Sequence, residues 1–121
     1  MEYTFLGNSG IKVSKLCLGC MSFGDPASQM HAWTLNADDS EKIIKHALDL
    51  GINFFDTANG YSGGTSEEYL GRAIKRNISR GEVVLASKVY FNEGKLSRAA
   101  ILREIDGTLR RLGTDYLDLY I

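Results

Sequence analysis

An acid, a phenol and an amine stand at positions where they could act together. Asp56 follows the apolar residues Ile52, Phe54 and Phe55, Tyr61 comes five residues later in a glycine-rich loop, and Lys88 ends the largely apolar run 83–87. If both runs are neighbouring parallel strands, Asp56 and Lys88 share one edge of the sheet and Tyr61 lies above them. The carboxylate would keep the lysine charged, and the lysine charge would favour phenolate over phenol. This trio could therefore donate a proton near neutral pH.

Each of the three residues also has a purely structural interpretation. Asp56 could accept backbone N–H groups at the turn after its strand. Lys88 could be a solvent-exposed lysine beyond a strand end. Tyr61 could pack its ring on the loop and hydrogen-bond its hydroxyl. The pattern favours a shared site because all three fall at adjacent strand ends.

Strand and helix patterns alternate along the chain. The predicted elements are a hairpin over 1–14, strands over 15–19, 52–56, 82–88 and 115–121, and helices from about 38, 65 and 97. Asp38 or Asp39 is expected to cap the first helix, Thr65 and Glu68 to form a capping box on the second, and Ser97 to cap the third. Such alternation predicts a parallel sheet with helical crossovers. Flavodoxin-like sheets and (β/α)₈ barrels both fit, and the opening hairpin, which could close the bottom of a barrel, favours the barrel.

The bulk composition excludes several classes of protein. The 121 residues carry a net charge of −1 and include 44% hydrophobic residues, as expected of one ordinary globular domain. This balance gives no electrostatic case for binding nucleic acid. No stretch approaches the ~18 apolar residues that span a bilayer. The first ten residues do not resemble a signal peptide, which predicts a cytoplasmic protein.

The cysteines and the glycine loop suggest two further sites. Cys17 and Cys20 form a C-x-x-C pair, but loop sequence follows instead of a helix and no second pair exists, so we expect neither redox chemistry nor a metal site. Gly60, Gly63 and Gly64 precede a helix and could cradle a phosphate group. No G-K-[ST] follows them, so this loop is not a P-loop, and no Rossmann fingerprint is present.

The segment FFDTANGYSGGTSEEYLGRAI resembles the signature of the aldo-keto reductases. The segments VVLASKVYF, LGTDYLDLYI and LGNSGIKVSKLCLGCMSFG are similar to other parts of that family, in the manner of bacterial members related to potassium-channel β-subunits. The resemblance implies a TIM-type (β/α)₈ barrel closed by the N-terminal hairpin. Residues 1–121 would form its N-terminal half, with about four strand–helix units after the hairpin.

The same resemblance implies a reaction and a set of site residues. The reaction would be reversible hydride transfer between NADP(H), or alternatively NAD(H), and an aldehyde or ketone. Reduction of the carbonyl compound would give the alcohol. Tyr61 would be the proton donor, and Lys88 would lower the pKa of Tyr61. Asp56 would anchor Lys88 and would also reach the nicotinamide ribose. Cys20 and Met21 would lie against the cofactor. In the long loop 20–37, Trp33 would help to cover the substrate.

The chain departs from the family pattern in its length. A full barrel takes about 250 residues, and the family's carbonyl-orienting histidine would follow Ile121. We therefore expect the 121-residue chain alone to be inactive and to expose sheet edges that favour self-association. Two alternatives remain: a non-catalytic half-barrel that binds a partner, as reductase-like channel subunits do, and a phosphate- or sugar-phosphate-binding domain.

Overall fold

The computed structural model describes all 121 residues, with four parallel strands at its centre. The strands are β3 (Leu18–Gly19), β4 (Phe54–Asp56), β5 (Val84–Ser87) and β6 (Leu119–Tyr120). They pair in the order β3-β4-β5-β6, which is also their order along the chain. A flavodoxin-like sheet would change order after its first two strands. The sheet therefore has the strand order of a (β/α)₈ barrel, and this expectation is confirmed.

The N-terminal hairpin lies against the amino end of β4. It consists of β1 (Tyr3–Phe5) and β2 (Lys12–Ser14) in antiparallel pairing. Asn53, the residue before β4, accepts a hydrogen bond from the Ser14 N–H through Oδ1 (2.7 Å) and donates one to the Lys12 carbonyl (3.1 Å). The hairpin thus covers the end of the sheet opposite to the strand ends that carry Asp56 and Lys88.

Three helices cover the outer face of the sheet. They are α1 (Ala37–Asp49), α2 (Thr65–Asn77) and α3 (Arg98–Leu112). The main core contains residues from the sheet, the helices and the long loop: Cys20, Phe23, Ile44, Ala47, Phe55, Leu70, Ala73, Ile74, Val83, Leu85 and Leu112. All four residues of β5 are buried, as expected of a strand covered on both faces. None of the helices is long and apolar enough to cross a membrane.

The start of α1 differs from the prediction. Asn36 is the capping residue, since its Oδ1 accepts a hydrogen bond from the Asp39 N–H (2.9 Å). Asp38 and Asp39 lie inside the first turn, where their carboxylates still interact favourably with the helix dipole. The prediction was wrong because Asn and Asp are comparable caps, and only the chain path determines which one precedes the helix.

The start of α2 also differs from the prediction, whereas α3 matches it. Gly64, with a φ of 95°, precedes α2 and there is no side-chain cap. Thr65 does not form a capping box, because its hydroxyl accepts from the Asp25 N–H and donates to the Ser62 carbonyl. In α3 the Ser97 hydroxyl caps the first turn by accepting from the Ala100 N–H (3.2 Å).

Candidate active site

Lys88 is the centre of a compact polar cluster at the carboxyl end of the sheet. Its Nζ donates to Asp56 Oδ2 (2.7 Å), to the Thr57 carbonyl (2.9 Å) and to the Tyr61 hydroxyl (3.2 Å). An ammonium group has three protons, and each of them has an acceptor here. The structure therefore brings together the three side chains that the sequence selected, and it holds the lysine in one orientation.

The sheet itself sets these distances. Asp56 pairs with Ala86 in the β4–β5 register, and the Thr57 N–H continues the ladder by donating to the Ala86 carbonyl (2.9 Å). Beyond the strands, the Asn59 N–H donates to the Lys88 carbonyl (3.2 Å). Two adjacent parallel strands that end at the same level thus present their first charged side chains, Asp56 and Lys88, side by side.

A tight turn carries Tyr61 back over the strand ends. Ser62, Gly63 and Gly64 have φ values of 48°, 64° and 95°, so three successive residues are left-handed. Glycine adopts this conformation without steric cost, which explains two of the three residue types. The turn reverses the chain between β4 and α2 and leaves the Tyr61 ring facing Lys88, with the lysine nitrogen 4.9 Å from the ring centroid.

The surroundings keep the lysine protonated. Partial burial alone would lower the pKa of Lys88, and it is the largest single influence. The hydrogen bonds to Asp56 and Tyr61, together with the Asp56 charge, outweigh burial and leave the pKa of Lys88 raised. Asp56 Oδ1 accepts no hydrogen bond from the chain, and the Asp56 side chain is 29% exposed. One carboxylate oxygen therefore remains available to a ligand.

A cavity of about 410 Å³ opens beside the cluster. Its polar lining residues are Tyr61, Lys88, Asn59 and His31, and most of the remaining lining is apolar: Met21, Met30, Val89, Tyr90, Phe91 and Ile121. Cavities of this size and character typically bind small molecules. A larger hollow of about 770 Å³ lies between the C-terminal ends of α2 and α3. It shares no residue with the cluster, so the smaller cavity is the candidate site.

The residues predicted to contact the cofactor or the substrate differ in how the structure places them relative to the cavity. Met21 lines the cavity and is 40% exposed. Cys20 was predicted to contact the cofactor, but it has no exposed surface in this structure, which does not support a direct contact. Trp33 lies outside the cavity and stacks on His31, with ring centroids 4.1 Å apart, and His31 is part of the wall. In this arrangement Trp33 contacts the cavity wall through His31.

Sequence reasoning missed part of the cavity wall. Tyr90 and Phe91 line it, and Phe91 approaches Gly60 so closely that a β-carbon there would lie 3.4 Å from the Phe91 Cβ. His31 also lines the wall, and its Nε2 is buried without a hydrogen-bond partner. An available signal was the aromatic pair that follows Lys88 by two residues.

Two other sequence features are the C-x-x-C pair and the glycine loop. The described residues contain no group of three or more His, Cys, Asp or Glu side chains that could hold a metal ion. Cys17 and Cys20 are both free thiols. In the glycine loop, the Ser62 N–H donates a hydrogen bond to the Met30 sulfur (2.9 Å). The Thr65 N–H donates to the carbonyls of Ser62 and Tyr61. These two N–H groups are therefore not free to bind a phosphate, and the cradle on Gly60, Gly63 and Gly64 stays a prediction.

Comparison with known proteins shows related sequences in several organisms. The chain is 43% identical to versiconal hemiacetal acetate reductase of Aspergillus parasiticus over 98% of its own length. It is 38% identical to a putative voltage-gated potassium channel subunit beta of Schizosaccharomyces pombe, also over 98% of its length. The chain spans only 41% and 35% of the lengths of these two relatives.

Solved structures show the same fold. An aldo-keto reductase from Bacillus halodurans in its holo form superposes with a TM-score of 0.81 at 37% identity, over 99% of this chain and 39% of that one. An aldo-keto reductase from Klebsiella pneumoniae in complex with NADPH gives a TM-score of 0.73 at 34% identity, over 90% of this chain and 34% of that one.

The sequence profile of the Aldo/keto reductase family matches residues 15–121, which leaves only the N-terminal hairpin outside the match. The barrel strand order, the polar cluster on Lys88 and the sequence relatives agree with this match. The chain therefore belongs to the aldo/keto reductase family.

Proposed function

We propose that this chain supplies the proton-transfer centre of an NADP(H)-dependent oxidoreductase that reduces aldehydes or ketones to alcohols. The observation that carries the proposal is the set of contacts on the Lys88 ammonium, which joins Asp56, Tyr61 and the Thr57 carbonyl beside a cavity. Family membership implies oxidoreductase activity. The role of each residue is inferred from the geometry together with the family resemblance.

Tyr61 is the proton donor in this mechanism. Its hydroxyl faces the cavity, where a carbonyl oxygen that gains negative charge can accept the proton. The Lys88 ammonium, 3.2 Å from the hydroxyl, stabilises the negative charge left on the tyrosine oxygen. Asp56 keeps the ammonium charged and aimed by accepting one of its protons. A positioned acid of this kind typically accelerates a reaction by about 10²–10⁴-fold.

The residues at the cavity are suited to a nicotinamide cofactor. When bound, NADPH supplies the hydride. The unpaired Oδ1 of Asp56 could accept a hydrogen bond from a ribose hydroxyl, and the exposed face of Met21 could pack on a flat ring. NADP(H) is preferred over NAD(H) in the proposal because the related Klebsiella structure holds NADPH. The described strands are those of half a barrel, so they would hold only part of the cofactor.

The cavity wall indicates the kind of substrate. Apart from Tyr61 and Lys88, the lining carries few polar groups, and Tyr90 and Phe91 contribute aromatic surface. An apolar or aromatic carbonyl compound would bury its body there without leaving polar groups unpaired. Trp33 stays a predicted substrate-covering residue, acting through its stacking on His31.

The test compares variants in a protein in which residues 1–121 are joined to the remaining strand–helix units of the barrel. Tyr61→Phe should lower kcat for carbonyl reduction by about 10²-fold or more while NADPH affinity, followed by fluorescence, stays within about twofold. Lys88→Met should also lower kcat and shift the pH profile. Tyr116→Phe is the matched control, since Tyr116 packs on Arg80 and does not line the cavity. Retention of most activity by Tyr61→Phe would refute the assigned role.

A partner-binding role is the second candidate. It is favoured by the 38% identity to a putative potassium channel subunit. In the described chain β3 and β6 each have one strand neighbour, and an unpaired sheet edge can pair with another chain. Size-exclusion chromatography tests self-association, which predicts a concentration-dependent mass above 13.4 kDa. A monomer at all concentrations would contradict it.

A further inference from the structure

We propose that Ser87 and Glu67 are positioning residues for Lys88. A carboxylate buried behind the sheet holds the end of β5, and thereby places the lysine on the other face against Asp56 and Tyr61. The inference rests on the proposed function for its importance, but its geometry and its test do not require activity.

Glu67 is a carboxylate without any exposed surface. Its Oε1 accepts from the Ser87 hydroxyl (2.6 Å) and from the Thr108 hydroxyl (2.8 Å), and its Oε2 accepts from Arg111 Nε. These three donors lie on β5 and α3, whereas Glu67 lies in the first turn of α2. A single carboxylate thus ties one strand and two helices together by directional, charge-assisted bonds.

The contact to Ser87 bears directly on Lys88. Successive side chains of a strand point to opposite faces of the sheet. Ser87 therefore points outward to Glu67, while Lys88 points to the side that carries Asp56 and Tyr61. The Ser87 carbonyl also accepts from the Ile121 N–H (2.9 Å), which ties the same residue to the next strand. The Glu67 contact holds the Ser87 side chain, and the Ile121 contact holds the Ser87 backbone. The backbone of the next residue, Lys88, therefore has little freedom to move.

The neighbouring residue of α2 makes a second set of links. Ser66, also without exposed surface, donates from its hydroxyl to the Cys20 carbonyl (2.6 Å) and shares a hydrogen bond with the Thr57 hydroxyl (3.0 Å). Thr57 is the residue whose carbonyl accepts from Lys88. The first turn of α2 therefore holds the carboxyl ends of β3, β4 and β5, which are the ends that form the site.

Stability alone does not account for this choice of residues. Burying an ion pair is often no more stabilising than packing apolar side chains of similar volume. Hydrogen bonds differ from apolar contacts in being directional, and they lose strength steeply with misalignment. A polar anchor behind β5 can therefore define the position of the strand end more narrowly than apolar packing would.

The experiment compares two variants that each remove one hydroxyl donor from the same Glu67 oxygen. Ser87→Ala cuts the link to β5, and Thr108→Val cuts the link to α3. The readout is proton exchange of the Lys88 ammonium with water, measured by ¹⁵N NMR on the 121-residue chain and assigned with Lys88→Met. We expect Ser87→Ala to accelerate exchange at least about fivefold, the equivalent of one hydrogen bond, and Thr108→Val to leave it within about twofold.

Two further variants complete the test. Ser87→Thr restores a hydroxyl donor and should restore slow exchange. If Ser87→Ala does not fold, Ser87→Cys, which has a weaker donor, takes its place and should give an intermediate rate. Equal exchange rates in the Ser87 and Thr108 variants would overturn the inference. Because no step uses NADPH, a positive result combined with an active Tyr61→Phe barrel would refute the proposed function and leave the positioning role standing.

Discussion

Replacing Gly71 by alanine tests the helix packing on which the site depends. Gly71 lies in α2, where that helix meets the C-terminal end of α3. A β-carbon on Gly71 would lie 2.2 Å from the Leu112 carbonyl oxygen, 2.6 Å from its carbonyl carbon and 2.7 Å from its Cα. These are backbone atoms, so no side-chain rotation can remove the clash.

The size of the effect follows from these distances. Ordinary contact begins at 3.4 Å, so α2 and α3 must separate by 3.4 − 2.2 = 1.2 Å at this point. Overpacking of this kind typically costs about 1–3 kcal/mol, occasionally more, and separation also loosens the buried contacts of Leu70 and Leu112. The better helix propensity of alanine returns about 1 kcal/mol. The distances are well inside contact, so we take the upper end of that range and expect a net loss of about 2 kcal/mol in the free energy of unfolding.

Urea unfolding followed by far-UV circular dichroism measures this loss. Gly81→Ala is the matched control, because a β-carbon at Gly81 meets nothing within 4 Å and its φ is not left-handed. It should change the free energy of unfolding by less than about 0.5 kcal/mol or raise it slightly. If Gly71→Ala were as stable as Gly81→Ala, the close approach of α2 to α3 would be wrong.

Three further predictions follow from single residues. The pKa of Lys88 is raised above its ordinary 10.5, so the stability that its ammonium contributes should be complete below pH 10.5 and lost as pH rises further. The difference in unfolding free energy between the parent and Lys88→Met should therefore shrink only above that pH. A difference that grew above pH 10.5 would contradict the direction of the pKa shift. Burial, followed by the Asp56 charge, raises the pKa of the Cys17 thiol to about 11. Alkylation of Cys17 by iodoacetamide should therefore reach half its maximal rate near pH 11 instead of 9.0. Mass spectrometry of the native protein should show that the buried Cys20 stays unmodified. Asn36→Ala should lower the free energy of unfolding by about 1 kcal/mol and Asn36→Asp by much less, and an effect of the same size in both would show that Asn36 is not the cap of α1.

Much of the fold and the chemistry of the site could be predicted from the sequence, because both rest on local patterns. The alternation of strand and helix segments determined the order of elements, and the Ser97 cap of α3 is where the sequence places it. Asp56 and Lys88 could be selected because the first charged residue at the end of a buried strand lies at the edge where parallel strands end.

Only the tertiary structure decided which residues touch. Asp56 and Lys88 are 32 positions apart, and Ser87 and Glu67 are 20 apart, so their contacts depend on the register of the sheet and the seating of α2. The same packing buries Cys20 completely and places Trp33 outside the lining of the cavity, and the sequence pattern showed neither. A residue's type and its neighbours in sequence set what it can do chemically. Its burial and its partners are set by elements distant in sequence, and these are fixed only when the chain has packed.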